Sequence, residues 1–311
     1  MADRRSALLF VLLAALWGTS FAAIKAGLDA FPPVLFAAIR YDLAGVLMVT
    51  YAAATSDYWV PRDRADWLTV AVETTLIIAL YNAFLFVGEQ GVSGGVAAIL
   101  VGMSPVLSTV FSRVFLPDER LTVVGTVGLL LGFAGVGLVA RPDLTSLAES
   151  AAAPALVLLA AASVALGSVL VQRFDAGISS EGMVAWATAL GAVLLHGISL
   201  ALPGESLADV TVTLEGIVAV VYLAVFASAV GYVVYFDLLA RLGAIEINLV
   251  SYAAPVFAAA AGWLVRDETL APLDVAGFLV IFVGFALLKR RALAAELSPL
   301  VGRVEGLLSG R

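Results

Sequence analysis

Residues 91–141 read GVSGGVAAILVGMSPVLSTVFSRVFLPDERLTVVGTVGLLLGFAGVGLVAR, and residues 241–290 read RLGAIEINLVSYAAPVFAAAAGWLVRDETLAPLDVAGFLVIFVGFALLKR. Pro105 of the first stretch matches Pro255 of the second, each within a long apolar run. With one gap, the acidic pairs of the following loops also match. The later matches are Asp118-Glu119 with Asp267-Glu268, Gly128 with Gly277, Gly135 with Gly284, and Arg141 with Arg290. An ordered set of this kind indicates an internal repeat.

The rest of the chain is as apolar as these two stretches. Of its 311 residues, 62% are hydrophobic and 13% are charged, whereas a soluble domain carries roughly 25% charged residues. The apolar blocks are about 20 residues long, the length that a helix needs to cross a bilayer. We therefore predict an all-α membrane protein with ten transmembrane helices. The predicted spans are residues 7–27, 33–54, 67–87, 92–115, 121–140, 153–172, 182–202, 216–236, 244–265 and 271–288.

The repeat divides these spans into two groups of five, in residues 1–146 and 150–292, followed by a tail at 293–311. A second copy that begins after an odd number of crossings enters the membrane from the opposite side. We therefore expect a 5+5 inverted repeat. Inverted repeats are typical of secondary transporters, in which two equivalent halves rock about a site near the midplane.

Basic residues predict the orientation of the chain in the cell membrane. All but four of the 17 Lys and Arg residues fall at the end of the predicted bundle that carries the N-terminus. Because cytoplasmic loops are enriched in Lys and Arg, both termini are predicted to be cytoplasmic.

The C-terminal tail has two possible arrangements. Leucines at near-helical intervals favour a tail that lies on the membrane surface, whereas Pro299 favours a solvated tail.

Composition excludes several functional classes. The net charge of −7 argues against nucleic-acid binding, which needs a basic surface. With no cysteine and a single histidine, His196, the chain cannot form a disulfide, an iron–sulfur cluster or a histidine metal cluster. The glycines at 91–95 are not followed by the Lys and Ser/Thr of a nucleotide-binding loop. We expect no metal, no cofactor and no enzymatic activity, although a carboxylate-based intramembrane enzyme and a non-transporting scaffold stay open as alternatives.

Three features of the sequence resemble a known family. They are Trp17-Gly18-Thr19-Ser20-Phe21 in the first span, Arg40 in the second, and the doubled block of helix, proline, helix and acidic loop. Together they resemble the EamA family of the drug/metabolite transporter superfamily. The resemblance implies a central cavity lined by spans 1–4 and 6–9, with spans 5 and 10 at the periphery. It also implies export or exchange of small metabolites, often amino acids or their relatives. The second half departs from the family pattern at Val164, where a tryptophan is common.

Polar side chains within the spans are the candidate substrate-binding residues. They are Trp17, Ser20, Arg40, Tyr81, Asn82, Trp186, Tyr232, Asn248, Ser251 and Tyr252. An arginine at the centre of a membrane helix costs roughly 2.5–3.5 kcal/mol and needs a partner. Arg40 either attracts a substrate carboxylate or extends outward to anchor its helix. The residues at 248, 251, 252 and 255 share one helix face, which either lines the site or forms interhelical hydrogen bonds.

Four further residues are candidates either for kinking the helices or for coupling transport to proton movement. Pro105 and Pro255 are predicted to kink their helices and to leave the carbonyls four residues earlier without their usual hydrogen bonds. These carbonyls either contact a ligand, or the kinks only adjust the packing of the helices. Glu73 and Glu89 are candidates to carry a proton during transport, or else are hydrated groups near helix ends.

Small residues on spans 5 and 10 predict contacts between helices, and the fold class predicts the partners of the protein. Glycines at 128, 132 and 135 in span 5 and at 277 and 284 in span 10 create flat helix faces that allow close approach. These faces pack the two halves together or form the seam of a homodimer. The other expected partners are a small-molecule substrate and membrane lipid.

Overall fold

The computed structural model describes residues 4–115, 123–140, 151–242, 247 and 249–288. These residues form ten long helices, which we number α1 to α10. Their bounds are α1 Arg4–Gly27, α2 Pro33–Thr55, α3 Arg64–Glu89, α4 Gly94–Phe115, α5 Val123–Ala140, α6 Ala152–Val171, α7 Ser180–Ala201, α8 Leu214–Leu242, α9 Val250–Arg266 and α10 Pro272–Leu288. Seven are long and apolar enough to cross a membrane, and α5, α9 and α10 are shorter apolar helices. The ten predicted spans are therefore matched by ten helices.

Successive helices run in opposite directions, so the loops collect at two ends of the bundle. The proximal end, nearest residue 4, carries the α2–α3 loop (56–63) and the α6–α7 loop (172–179). The distal end carries the α1–α2 loop (28–32) and the α7–α8 loop (202–213). Helix starts are fixed locally: Ser179 caps α7 and Thr213 caps α8 by accepting the amide hydrogens of residues three positions later.

Helices from the two halves of the chain interleave throughout the bundle. The pairs α2–α7 and α5–α10 pack along much of their length. Helix α1 packs against α8 and α9, while α6 packs against α3 and α4. Helix α2 also contacts α8, and α3 contacts α7. Because most of the extensive contacts join the halves, the centre of the protein lies at their junction.

Both α3 and α8 contain a π-helical stretch, Glu73–Leu80 and Tyr222–Val230 respectively. A π turn leaves backbone groups without their usual partners and often occurs at functional sites. In each helix a side chain from a neighbouring helix binds a carbonyl of the stretch. Trp17 of α1 donates to the Ala227 carbonyl at 3.1 Å, and Ser163 of α6 donates to the Leu76 carbonyl at 2.7 Å. The two π stretches are thus held in the same way by α1 and α6.

Helix α4 differs from the prediction at its proline. It consists of two segments, Gly94–Val101 and Ser104–Phe115, separated by a turn at residues 102–103. Pro105 therefore stands in the first turn of a new segment, where its missing N–H costs little, and it does not kink a continuous helix. The Val101 carbonyl, which was expected to be free, accepts the Ser104 hydroxyl at 2.7 Å. Pro255, in contrast, lies inside the continuous helix α9.

The glycine faces pack α5 directly against α10 within one chain. A Cβ added at Gly135 would lie 2.7 Å from the Gly277 carbonyl oxygen, and one added at Gly284 would lie 2.5 Å from the Gly128 carbonyl oxygen. Backbone atoms of the two helices therefore touch at these positions. Of the two interpretations of these faces, the structure supports packing between the halves. The homodimer stays a prediction.

This packing predicts a difference in stability between two variants of α5. Gly135→Ala should force α5 away from α10 and lower the free energy of unfolding by about 1–3 kcal/mol. Gly137→Ala is the matched control, because a Cβ there meets no atom within 4 Å and alanine is the better helix former. Thermal unfolding of the two variants in the same detergent measures the difference. Equal melting temperatures would contradict close packing at Gly135.

Candidate functional site

The side chain of Arg40 is buried on α2, with 7% of its surface exposed. Its Nη2 donates to the Tyr41 hydroxyl at 2.9 Å. The guanidinium also lies 4.5 Å from the centroid of the Tyr41 ring and 5.4 Å from that of Phe86, and such cation–π contacts stabilise a desolvated charge. No carboxylate of the described residues forms an ion pair with Arg40, and its Nε has no partner there. Asp42, two residues after Arg40, pairs with His196 at 2.9 Å.

The amide of Asn82 connects α3 to this cation. Its Nδ2 donates to the Tyr41 hydroxyl at 3.2 Å and to the Ile78 carbonyl at 2.7 Å. Its Oδ1 is buried and has no hydrogen-bond partner among the described residues. Tyr232 of α8 interacts electrostatically with Tyr41 and Arg40. Side chains from α2, α3 and α8 therefore meet around the Tyr41 hydroxyl, and Asn82 offers an unused acceptor beside a cation.

Glu89, the last residue of α3, lies on the distal side of Arg40. Its side chain is fully buried, and neither carboxylate oxygen has a hydrogen-bond partner in the described part of the chain. Lys25, Arg40 and Glu268 are the charged groups that act on it. The Lys25 ammonium donates to the backbone carbonyls of Glu89 at 2.5 Å and Val92 at 2.8 Å, which places a cation at the negative end of the α3 dipole. Glu89 thus carries a desolvated carboxyl group between two cations.

Glu73 lies deeper in the bundle, at the start of the π stretch of α3. It is 8% exposed, and its Oε2 is buried without a partner. Tyr232 and Tyr235 of α8 lie near it. The unpaired polar atoms therefore extend along α3 from its distal end to its middle. We call Arg40, Tyr41, Glu73, Asn82, Glu89 and Tyr232 the polar core.

Trp17 of α1 contacts α8, and Ser20 is hydrogen-bonded within α1. The Trp17 indole lies 5.7 Å from the Tyr235 ring while its N–H is bound to the α8 π stretch. The Ser20 hydroxyl donates to the Trp17 carbonyl at 2.6 Å within the same helix. Tyr81 is half-buried and interacts electrostatically with Tyr41, Arg40 and Glu89. Of these three residues, Tyr81 is the one that lies near Arg40.

Other candidates lie apart from the polar core. The Trp186 indole donates to the Trp59 carbonyl at 3.0 Å and stacks on the Trp59 ring at the proximal end. Tyr252 packs on Phe282 and Phe285 of α10. Ser251 lies beside the break in α4, with its carbonyl oxygen near Gly102. Asn248 lies outside the described residues.

Two residues of the site were missed by sequence reasoning. Tyr41 connects Arg40 to Asn82, and Lys25 binds the end of α3. A tyrosine directly after a buried arginine was one available signal, and a lysine within the first span was the other. Neither signal says which helix the side chain contacts.

The polar core is buried in this conformation, apart from the half-buried Tyr232. The larger of the two principal cavities has a volume of about 180 Å³ and lies between α5 and α10, lined by aliphatic residues. The second is small and lies beside Gly95, Gly262 and Glu268 at the distal end. The open central cavity that the family resemblance implied is therefore not among the principal cavities of the described residues. The aromatic rings of Tyr41 and Phe86 pack against Arg40 instead.

A bundle of apolar helices with unpaired charged groups buried at its centre is the arrangement of a polytopic membrane transport protein. Comparison with known proteins identifies the family. The model of the EamA-like transporter family matches residues 4–141 and 152–290, and the chain belongs to this family. An uncharacterized transporter of Bacillus subtilis, YvbV, is 30% identical over 94% of both chains. The inner membrane transporter YedA of Escherichia coli is 29% identical over 83% of this chain and 82% of its own.

A solved crystal structure has the same fold. It superposes with a TM-score of 0.64 and 22% identity, covering 93% of this chain and 99% of the other. The homologues support a multi-pass membrane transporter.

Proposed function

We propose that this protein is a secondary transporter that exports small metabolites with a carboxylate group, such as amino acids or their relatives, across the cell membrane by alternating access. The observation that carries the proposal is Arg40, a buried cation that forms no ion pair with a described carboxylate. A substrate carboxylate would compensate its desolvation and would bind the planar guanidinium well. The free Oδ1 of Asn82 offers an acceptor for a donor of the same substrate.

Alternating access requires two equivalent halves, and the helix pairing supports a 5+5 inverted repeat. If each helix of the first half (α1 to α5) is replaced by its counterpart five positions later, and the reverse, the pattern of contacting pairs stays the same. The pair α2 with α7 and the pair α5 with α10 are unchanged. The pair α1 with α9 becomes α6 with α4, α1 with α8 becomes α6 with α3, and α2 with α8 becomes α7 with α3, and all of these helices are in contact. The two π stretches and the two family-model matches follow the same division. We place the boundaries of the halves at 1–146 and 150–292, with both termini and the 293–311 tail in the cytoplasm.

Proton coupling through Glu89 and Glu73 is the second part of the proposal. Both carboxyl groups are buried, with oxygens that lack hydrogen-bond partners among the described residues. A buried carboxyl group that is free of partners can gain and lose a proton as the site opens and closes. Glu89 is adjacent to the cation that would hold the substrate, so that the substrate and the proton could affect each other's binding.

Transport into vesicles tests the whole proposal. In inverted vesicles, radiolabelled amino acids should accumulate when the lumen is acidic, and should only equilibrate without the gradient. The amide or methyl ester of the same amino acid, which lacks the carboxylate, should be transported at least about tenfold more slowly, the effect of losing one hydrogen bond to a charged group. Absence of any solute uptake above that of empty vesicles would favour a scaffold. Equal uptake of the acid and the ester would contradict the role of Arg40.

A further inference from the structure

At the proximal end, one buried carboxylate joins the two loops. Asp66, in the first turn of α3, is fully buried. Its Oδ1 accepts the backbone N–H groups of Gly177 and Ile178 in the α6–α7 loop, both at 3.0 Å. Its Oδ2 accepts the Arg62 N–H at 2.9 Å and the Tyr58 hydroxyl at 2.5 Å. The hydrogen bond to Asp66 raises the pKa of Tyr58 to about 12, so this donor keeps its proton at physiological pH.

Three more hydrogen bonds close the same end. The Ser179 N–H donates to the Tyr58 carbonyl at 3.0 Å, and the hydroxyls of Ser56 and Ser179 lie 2.7 Å apart. The Trp186 indole donates to the Trp59 carbonyl at 3.0 Å. Each of these contacts joins residues 56–59, in the first half of the chain, to residues of the second half. The α2–α3 loop is therefore hydrogen-bonded to the α6–α7 loop and to the start of α7 at the proximal end.

The distal end repeats the arrangement with the halves exchanged. Glu205, in the α7–α8 loop, accepts the backbone N–H groups of Val34 and Leu35 at the start of α2, at 2.9 and 2.8 Å. The Thr211 N–H donates to the Ala30 carbonyl at 2.9 Å. Here the carboxylate comes from the second half and the amide pair from the first. Each end thus has one carboxylate that binds two successive amides, and one backbone hydrogen bond between corresponding loops.

We propose that Asp66 and Glu205 are the latches of two gates, one at each end of the bundle, and that the transport cycle breaks one latch while the other stays closed. Both latches are closed here, which accounts for the burial of the polar core. A carboxylate that accepts two N–H groups is a strong, directional contact, and hydrogen bonds of this kind can be exchanged for water when the loops separate. The inference rests on alternating access, the proposed mode of transport.

The absence of cysteine from the sequence allows a test that needs no substrate. Single cysteines replace Ile178 and Val34, whose side chains are 9% and 0% exposed. Each cysteine keeps the backbone N–H that its latch binds, so the latch itself is unchanged. The rate of labelling by a water-soluble maleimide then reports opening of the proximal gate through position 178 and of the distal gate through position 34.

Asp66→Asn and Glu205→Gln keep the size of the side chain but remove its charge, and in Glu205→Gln one of the two oxygens that accept the loop amides also becomes a donor. We expect Asp66→Asn to raise labelling at position 178 about tenfold, because two hydrogen bonds to a charged group become weaker neutral ones, and to lower labelling at position 34. Glu205→Gln should do the reverse. Asp57→Asn and Asp209→Asn are the matched controls, because these carboxylates are exposed in the same two loops and should change neither rate.

For each latch variant, unchanged labelling of the cysteine at the same end of the bundle would overturn the proposal. A rise at that end without a fall in labelling at the opposite end would also overturn it, since the two gates would then be uncoupled. A cross-link provides a second measurement if a variant folds poorly. Cysteines at positions 56 and 179, oxidised to a disulfide, should hold the proximal gate closed and raise labelling at position 34, with reversal by a reductant. Because the labelling and cross-linking experiments use no substrate, they test the gates even if no transported substrate is found.

Discussion

Replacing Arg40 by alanine is expected to lower transport of a carboxylate substrate roughly 10- to 150-fold, the range for loss of a hydrogen bond to a charged group. The cation is buried against Tyr41 and Phe86 and has no described carboxylate partner. The substrate would therefore lose its main electrostatic contact. Initial rates in vesicles, measured over a range of substrate concentrations, would show the loss as a higher KM.

Two controls separate this effect from damage to the fold. Arg40→Lys keeps the charge but loses the planar pair of donors, and should recover part of the transport. Arg173→Ala removes an exposed arginine from the α6–α7 loop and should leave transport unchanged. The melting temperature of Arg40→Ala should change little, because relief of the buried unpaired charge offsets the lost contacts with Tyr41 and Phe86. Full transport by a well-inserted Arg40→Ala protein would remove Arg40 from the substrate site.

Replacing Glu89 by glutamine is expected to abolish accumulation driven by a pH gradient, while exchange of substrate across the membrane continues. Glutamine has nearly the same shape but cannot carry a proton. Both Glu89 carboxylate oxygens are buried without hydrogen-bond partners among the described residues, so little structure depends on them. In vesicles with an imposed gradient, the ratio of internal to external substrate should fall from well above one to about one, because the gradient has no proton site through which to act.

Glu215→Gln is the matched control for this experiment. Glu215 is an exposed carboxylate at the same end of the bundle, and its replacement should leave accumulation intact. Glu73→Gln tests whether the Glu73 carboxyl group, deeper in the bundle, also carries the coupled proton. If the gradient still drives accumulation in Glu89→Gln, the proton is carried elsewhere. Loss of exchange as well as accumulation would instead indicate that Glu89 binds the substrate.

The two gates and the polar core together suggest how these effects are connected. Arg40 and Glu89 lie toward the distal end of α3, whereas Glu73 and Tyr232 lie deeper in the bundle. In the proposed cycle, opening the distal gate at Glu205 gives access to the polar core from the distal side, and opening the proximal gate at Asp66 gives access to it from the proximal side. The Arg40 and Glu89 variants should therefore change binding and coupling without changing the labelling rates of the gate reporters.

Much of this architecture was predictable from local sequence. Long apolar runs separated by turn residues fixed the ten helices, because a backbone in hydrocarbon must satisfy its own hydrogen bonds. The matched prolines and glycines indicated the repeat. Arg40, Glu73 and Glu89 were identified as unusual for the same reason, since ionised groups in a membrane span are costly. The break in α4 was not identified, because the Ser104 hydroxyl that binds the Val101 carbonyl is a local contact that the proline pattern does not specify.

The sequence by itself determined which segments form the long apolar helices, because hydrophobicity and length are properties of each segment alone. It also marked the charged groups that need partners. Only the tertiary structure decided which partners they have: Tyr41 for Arg40, backbone carbonyls for Lys25, and two loop amides for each of Asp66 and Glu205. These contacts join residues far apart in the chain, and their geometry depends on how helices from the two halves pack against each other.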